Sequence, residues 1–263
     1  MSSTVQPEQD VAKGQGKTKV ILYWLEKSRA QRILWLLEEL KVDYELKTYK
    51  RVNMVAPPEL KEVHPLGKSP LLSVQAEGAP EPLVLAESGL ITEYLIEHFG
   101  PSLAPNQYQN GKEGQVQGET EEWLRYRYFM HYAEGTLMPF LVISLVLRTI
   151  REKSPFFIKP IANAITGNIE SMFLKPNLES NFNFLESQVK SAPDGGGYLC
   201  GSKLTGADIL LSYPLSAAKG RAGLSKEKYP ALFEYVTRLE AMEKNKKAVQ
   251  RIIDIEGSYD PSL

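Results

Sequence analysis

The feature that most limits what this chain can become is a change of hydrophobic period near residue 100. Before it, short runs dense in Val, Ile, Leu, Tyr and Trp alternate with segments whose apolar residues recur at helical spacing. After Gly118 strand alternation disappears and the apolar stripes follow the 3.6-residue helical period. Between the two, residues 101–118 are rich in Gln, Asn, Gly and Pro and poor in apolar residues, which reads as a linker. At 263 residues the chain is long enough for two moderate domains. The expected organisation is a disordered polar tail over 1–17, an α/β domain over 18–100, the linker over 101–118, and an all-helical domain over 119–263.

Within the first unit, TKVILYWLE from Thr18 reads as a short buried strand, and SRAQRILWLLEEL from Ser28 as an amphipathic helix with Ile33, Leu36, Leu37 and Leu40 on one side. YELKTYK from Tyr44 is a second strand. Pro57 and Pro58 open a short helical turn that His64 and Pro65 close. LLSVQ and PLVLAE, joined by AEGAPE, predict an antiparallel hairpin, and a helix headed by Ser88 runs to Gly100-Pro101. The helical half predicts segments over 119–150, 158–173, 177–190, 205–219 and 230–253. Strand, helix, strand, helix, hairpin and helix is the order of the thioredoxin-like fold, although other small α/β folds share it.

Charge and cysteine usage exclude several function classes. Basic and acidic side chains nearly balance, 31 against 32, which gives no footprint for nucleic acid or for a phospholipid surface. The single cysteine, Cys200, permits no internal disulfide, fits a reducing, cytosolic compartment, and reads as an inert core thiol. The histidines at 64, 98 and 131 lack metal-ligand spacing, so no metal site is expected. The uncharged stretch from Gly135 to Leu147 is shorter than the roughly 20 apolar residues of a membrane helix, so a buried core helix is expected and no integral span. The first 17 residues resemble no secretory signal.

Three segments carry chemistry. In HPLGKSPLL, from His64 to Leu72, Pro70 stands immediately before a strand; a cis bond there resolves the conflict between proline and ladder. It also turns the main chain of Ser69 toward an extended peptide laid alongside. In AESG, Glu87 and Ser88 head a helix whose N–H groups and positive dipole end suit a carboxylate, with Glu87 placed for an ammonium. In LTGADILLSYP, Thr205 and Asp208 have capping-box spacing ahead of an apolar helix, a folding element.

KSP, AES and TGAD, together with SRAQRILWLLEEL, APPELKEVHPLGKSPLL and LAESGLITEYL, resemble the signature segments of glutathione S-transferases, in particular a fungal branch with a serine-type site. The resemblance runs from Thr18 to about Ile253. It implies an N-terminal thioredoxin-like domain that binds glutathione and a C-terminal helical bundle that supplies the second-substrate pocket. By the same resemblance Pro70 is the cis-proline, Ser69 holds the cysteinyl part, Glu87 and Ser88 bind the γ-glutamyl end, and Lys68 contacts the glycine carboxylate. Position 69 departs from the valine usual in the family, but the implied contact is made by main-chain atoms.

The resemblance implies glutathione as co-substrate, no cofactor, and a hydroxyl after the first strand that stabilises the thiolate. Ser28 matches that position, and Tyr23 is the rival hydroxyl. Ser28 and Gln31 also have capping-box spacing, so the serine has an ordinary structural reading. Tyr128 and Tyr132, at i,i+4, are candidate pocket walls, although aromatics at this spacing are more often core. Transfer to an apolar electrophile is the expected reaction, with reduction of organic hydroperoxides as a variant and a non-catalytic binding or regulatory module as the alternative. A homodimer through Glu93, Tyr94 and the helix from Glu119 is also implied. Peripheral membrane association is compatible with a cytosolic protein of this kind.

Overall fold

The structure is a computed structural model that describes residues 18–260; the tail expected over 1–17 lies outside the described residues. The first elements are β1 (Lys19–Leu25), α1 (Ala30–Leu40), β2 (Glu45–Tyr49), α2 (Leu60–Val63), β3 (Leu71–Gln75), β4 (Leu83–Ala86) and α3 (Ser88–Phe99). The strands form one sheet in the order β2-β1-β3-β4, with β1 and β2 parallel and the other pairs antiparallel. Alternation along β1 sends Val20, Leu22 and Trp24 into the large core shared with α1 and α3. It sends Leu25 and Tyr23 to the other face, where Leu60 of α2 and Leu71 of β3 complete a small cluster. This is a thioredoxin-like arrangement.

Residues 104–120 carry turns and one isolated bridge between Tyr108 and Glu119, and from there the chain is helical. The helices are α4 (Glu121–Tyr132), α5 (Met138–Lys153), α6 (Lys159–Ile169), α7 (Lys175–Lys190), α8 (Gly206–Arg221), α9 (Pro230–Ala241) and α10 (Glu243–Glu256). Two helix fusions have a common cause; the first falls within the single segment predicted over 119–150, and the second departs from the sequence reading. α4 runs into α5, and α6 into α7, through π turns at Ala133–Leu137 and Glu170–Leu174. Each π turn ends two residues before a proline, Pro139 and Pro176. The wider turn accommodates a residue that has no N–H to give and whose ring crowds the preceding carbonyls. The helices predicted over 158–173 and 177–190 therefore fuse. Conversely, the segment predicted over 230–253 breaks at Met242, whose backbone is extended, and Asn245 donates from Nδ2 to the Leu239 carbonyl across the break at 3.0 Å.

The continuous helix 121–153 contains a window long and apolar enough, by length and composition, to cross a membrane. In the fold it is a bundle helix, buried on one side only and not the buried core helix expected over 135–147: Leu137, Met138, Leu141 and Leu147 are buried while Val146 is exposed. Its α4 part packs on α8, and its α5 part on α6 and α8. The expected capping box heads α8. Buried Asp208 accepts from Thr205 N–H (2.8 Å), Thr205 Oγ1 (2.7 Å), Leu199 N–H (3.0 Å) and Tyr235 Oη (2.7 Å). Burial pushes its carboxyl pKa up against the pull of these donors.

The two halves meet on α1, which touches β1 and α3 on one side and α8 and α10 on the other. Glu38 of α1 is 5% exposed and accepts from Tyr44 Oη at 2.5 Å, with Lys247 Nζ at 2.6 Å and Arg251 Nη1 at 3.6 Å from α10. Burial raises its pKa, but the bonds from Lys247 and Tyr44 outweigh that and leave it below the ordinary glutamate value of 4.5. A depressed carboxylate contributes stability that is present above its unfolded pKa and lost as pH falls through the folded one. Chemical denaturation followed between neutral pH and pH values below that of free glutamate is expected to show the parent losing stability. Glu38→Gln should cost about 1.5–3 kcal/mol at neutral pH and flatten that acid limb.

Candidate active site

The site is built where β1 ends. The chain leaves Leu25, passes Lys27 in a left-handed conformation (φ 49°), and enters α1 at Ala30. Arg29 precedes the helix with helical backbone angles and gives it no side-chain cap. Ser28, one residue earlier, serves instead: its Oγ accepts from the Ala30 N–H at 3.2 Å. The capping box expected with Gln31 does not form, because both polar atoms of the buried Gln31 amide lack a partner. Ser28 is thus a buried hydroxyl beside the positive end of an 11-residue helix, where negative charge is favoured.

The peptide bond between Ser69 and Pro70 is cis, and Leu71 begins β3 immediately after it. The Ser69 hydroxyl donates to the Tyr23 carbonyl at 3.1 Å, and its oxygen lies 3.4 Å from Ser28 Oγ. The serine that departs from the family pattern therefore uses its side chain to join the cis-proline segment to β1 and to Ser28. Tyr23 enters this network through its carbonyl. Its ring lies on the α2 face of the sheet, 6.4 Å from the Tyr49 ring centroid and with the Lys47 ammonium 5.6 Å from its own.

Ser88 is the first residue of α3 and is buried; exposed Glu87 precedes it as the cap, not Ser88 itself. Glu87 has φ 73° and ψ 121°, a backbone conformation that costs a non-glycine residue of order 1–3 kcal/mol. The Glu87 carbonyl accepts from Ile91 N–H at 2.9 Å, so the helix holds it in place. Lys68, next to the cis bond, is exposed.

Sequence reasoning missed the charged cluster behind Ser28. Arg29 Nη1 donates to Glu134 at 2.7 Å, and Arg32, 1% exposed, also pairs with Glu134 while its Nη1 donates to the Leu210 carbonyl at 2.8 Å. Burial lowers the Arg32 pKa, opposed by the Glu134 charge. The available signal was a lone acid, Glu134, inside a long apolar helix. Glu134 is the residue of that helix that reaches α1. Tyr128 and Tyr132 instead stack on each other (5.7 Å) and meet Phe129 and Phe184 edge-on or tilted, and the Tyr132 hydroxyl bonds Asn181. Cys200 is buried, burial pushes its thiol pKa well up, and it has no part in the Ser28 cluster. Among the described residues no group of His, Cys, Asp and Glu is arranged to hold a metal.

Comparison with known proteins agrees with this geometry. The family model for the glutathione S-transferase N-terminal domain matches residues 19–97, and that for the C-terminal domain matches 159–250. The chain is 36% identical over 224 residues to glutathione S-transferase 1 of Saccharomyces cerevisiae, covering 84% of this chain and 90% of that one. It is 33% identical to glutathione S-transferase 3 of Schizosaccharomyces pombe, over 80% and 78% of the two chains. A solved glutathione S-transferase from Actinobacillus pleuropneumoniae superposes with a TM-score of 0.60 at 27% identity, over 92% and 95% of the two. A cis-proline segment bonded to the end of β1, a hydroxyl at the head of α1 and two yeast relatives of nearly full length place this chain in the glutathione S-transferase family.

Proposed function

We propose that this chain is a glutathione transferase in which Ser28 holds the bound cysteinyl sulfur as thiolate for attack on an apolar electrophile. The observation that carries the reading is the contact between Ser28 Oγ and the cis-proline segment, at 3.4 Å from Ser69 Oγ. It puts a hydroxyl and a helix N-terminus beside the main chain that would align the tripeptide. A free thiol with a pKa near 8.5 is mostly protonated at neutral pH; lowering it by about two units takes roughly 2.7 kcal/mol. One charge-assisted hydrogen bond supplies about 1.5–3 kcal/mol and the helix end about 0.3–1, so no general base is required. The sulfur forms a C–S bond while the electrophile expels its leaving group or, in an addition, takes a proton from water. Against a hydroperoxide the same thiolate attacks the terminal oxygen, the alkoxide leaves and takes a proton from water to become the alcohol, and the sulfur is left as sulfenic acid; a second glutathione displaces water from it to form the disulfide.

Glu87 and Ser88 would take the γ-glutamyl ammonium and carboxylate, the latter at the start of α3, and Lys68 the glycine carboxylate. The retained hydroxyl at Ser28 favours an enzyme over a binding module. Leu83, Leu90, Leu124 and Tyr128 are exposed on β4, α3 and α4, and the Glu93–Arg127 pair ties α3 to α4 beside them. Exposed apolar residues on these elements fit a twofold homodimer, in a reducing compartment suited to the lone thiol.

Ultraviolet titration of bound glutathione is expected to show a thiolate pKa well below that of the free tripeptide, and Ser28→Ala should raise it by about 1–2 units. An unchanged pKa in the variant would transfer the role to Tyr23. Glu87→Gly removes both the backbone strain and the charge. Its thermal stability is expected to equal or exceed that of the parent, while its affinity for glutathione falls about 10- to 100-fold by calorimetry. Light scattering should give twice the chain mass for the parent, and Leu90→Arg should shift it toward one chain.

A further inference from the structure

Helix α6 is amphipathic in the wrong direction for a soluble bundle. Its inward positions are small or polar: Ala162 and Thr166 are buried, and the Thr166 hydroxyl donates to the Ala162 carbonyl at 2.7 Å. Its isoleucines, at i,i+4 spacing, face out, with Ile161 62% and Ile165 58% exposed. The turn before it carries Phe156 at 86% and Phe157 at 66%, and the π turn after it Met172 at 75%. Scattered exposed apolar residues are ordinary, but a run of this kind along one hairpin marks an interaction surface.

The surface extends onto the first domain. The loop between β2 and α2 exposes Val52, Met54 and Val55, and Lys153 at the end of α5 reaches Met54 Sδ at 2.6 Å. Arg51 fixes this loop to the segment before Ser28 by donating from Nη2 to the Lys27 carbonyl at 3.1 Å and from Nε to that of Glu26 at 3.2 Å. The α5–α6 hairpin of the helical domain and the 52–55 loop of the first domain therefore meet at the Lys153–Met54 contact.

The charge on this surface selects its partner. Residues 148–175 hold five basic and two acidic side chains in a protein whose net charge is -1. Both acids are engaged, Glu152 with Arg148 at 2.6 Å and Glu170 with Arg151, so Lys153, Lys159 and Lys175 are in surplus. A second copy would bring the same positive surplus against this one, whereas an anionic bilayer offers negative headgroups to the lysines and hydrocarbon to Phe156, Phe157, Ile161 and Ile165.

We propose that the α5–α6 hairpin and the 52–55 loop dock the protein peripherally on an anionic lipid surface. Docking rests on this surface alone and does not depend on the transferase reading.

The test is co-sedimentation of the full chain with phosphatidylcholine vesicles with and without phosphatidylserine, at low and high salt. Binding is expected only to the anionic vesicles and to weaken with salt. Phe156→Ser with Phe157→Ser should lower the partition coefficient about 10-fold or more. Lys153→Glu, Lys159→Glu and Lys175→Glu together should abolish the preference for phosphatidylserine. Both variants should keep the thiolate titration of the parent, which shows that they fold, and Ser28→Ala should bind vesicles as the parent does. Failure of the parent to bind, or binding that the phenylalanine variant leaves unchanged, overturns the docking proposal. So does an assembly larger than a dimer that the phenylalanine variant dissolves, which would assign the face to a second copy. A normal thiolate pKa in a protein that still binds vesicles overturns only the transferase reading.

Discussion

The arrangement depends on a guanidinium that is out of water. Arg32 sits in the first turn of α1 with 1% of its surface exposed, paired with Glu134 of the helical domain and bonded to the Leu210 carbonyl of α8. An isolated buried charge would be prohibitive, so α1 fits only where both partners are present. That condition fixes the angle at which the helical domain meets the sheet, and α1 carries Ser28 at its head. The cost is visible: Arg32 Nε has no partner. The contacts of Glu38 with Lys247 and Arg251 repeat the device at the other end of the helix, which is thereby held at both ends by the second domain.

With α1 held in this way, the hydroxyl of Ser28 is placed by three short links, none of which is strong alone. The Ala30 N–H points at it from the helix, Ser69 Oγ stands beside it, and Ser69 is in turn anchored on the Tyr23 carbonyl. A capping role and a catalytic role are the same geometry here: an oxygen that receives a helix N–H keeps its own proton to donate. The strained backbone of Glu87 is the counterpart across the site, a conformation kept against its intrinsic cost at the start of α3.

Much of the fold was legible because its signals are local. The dense apolar runs of β1 and β3, the period of 3.6 in α1 and α3, the proline before β3 and the Thr205–Asp208 spacing each read correctly from a few neighbouring residues. The errors fell where a local rule met a tertiary exception. Pro176 reads as a helix start, yet a π turn carries the helix past it; nothing between Ala241 and Lys244 reads as a breaker, yet the chain bends at Met242 to return along α1. Ser69 was given a role through its main chain and none through its side chain, because a contact 41 residues away in sequence, to Ser28, leaves no local trace.

The sequence by itself determined the two-part architecture, the helix head at Ser28, the cis-proline turn and the acidic and hydroxyl pair at 87 and 88, since periodicity, proline chemistry and helix capping act over one or two turns of chain. Only the tertiary structure decided that Glu134 meets Arg29 and Arg32, that Tyr23 contributes a carbonyl, that Tyr128 and Tyr132 pack against Phe184, and that the isoleucines of α6 face outward. The reason is physical: an apolar stripe or a charge states that it needs a partner, but partners 178 residues apart, as Arg32 and Leu210 are, are chosen by how whole elements dock.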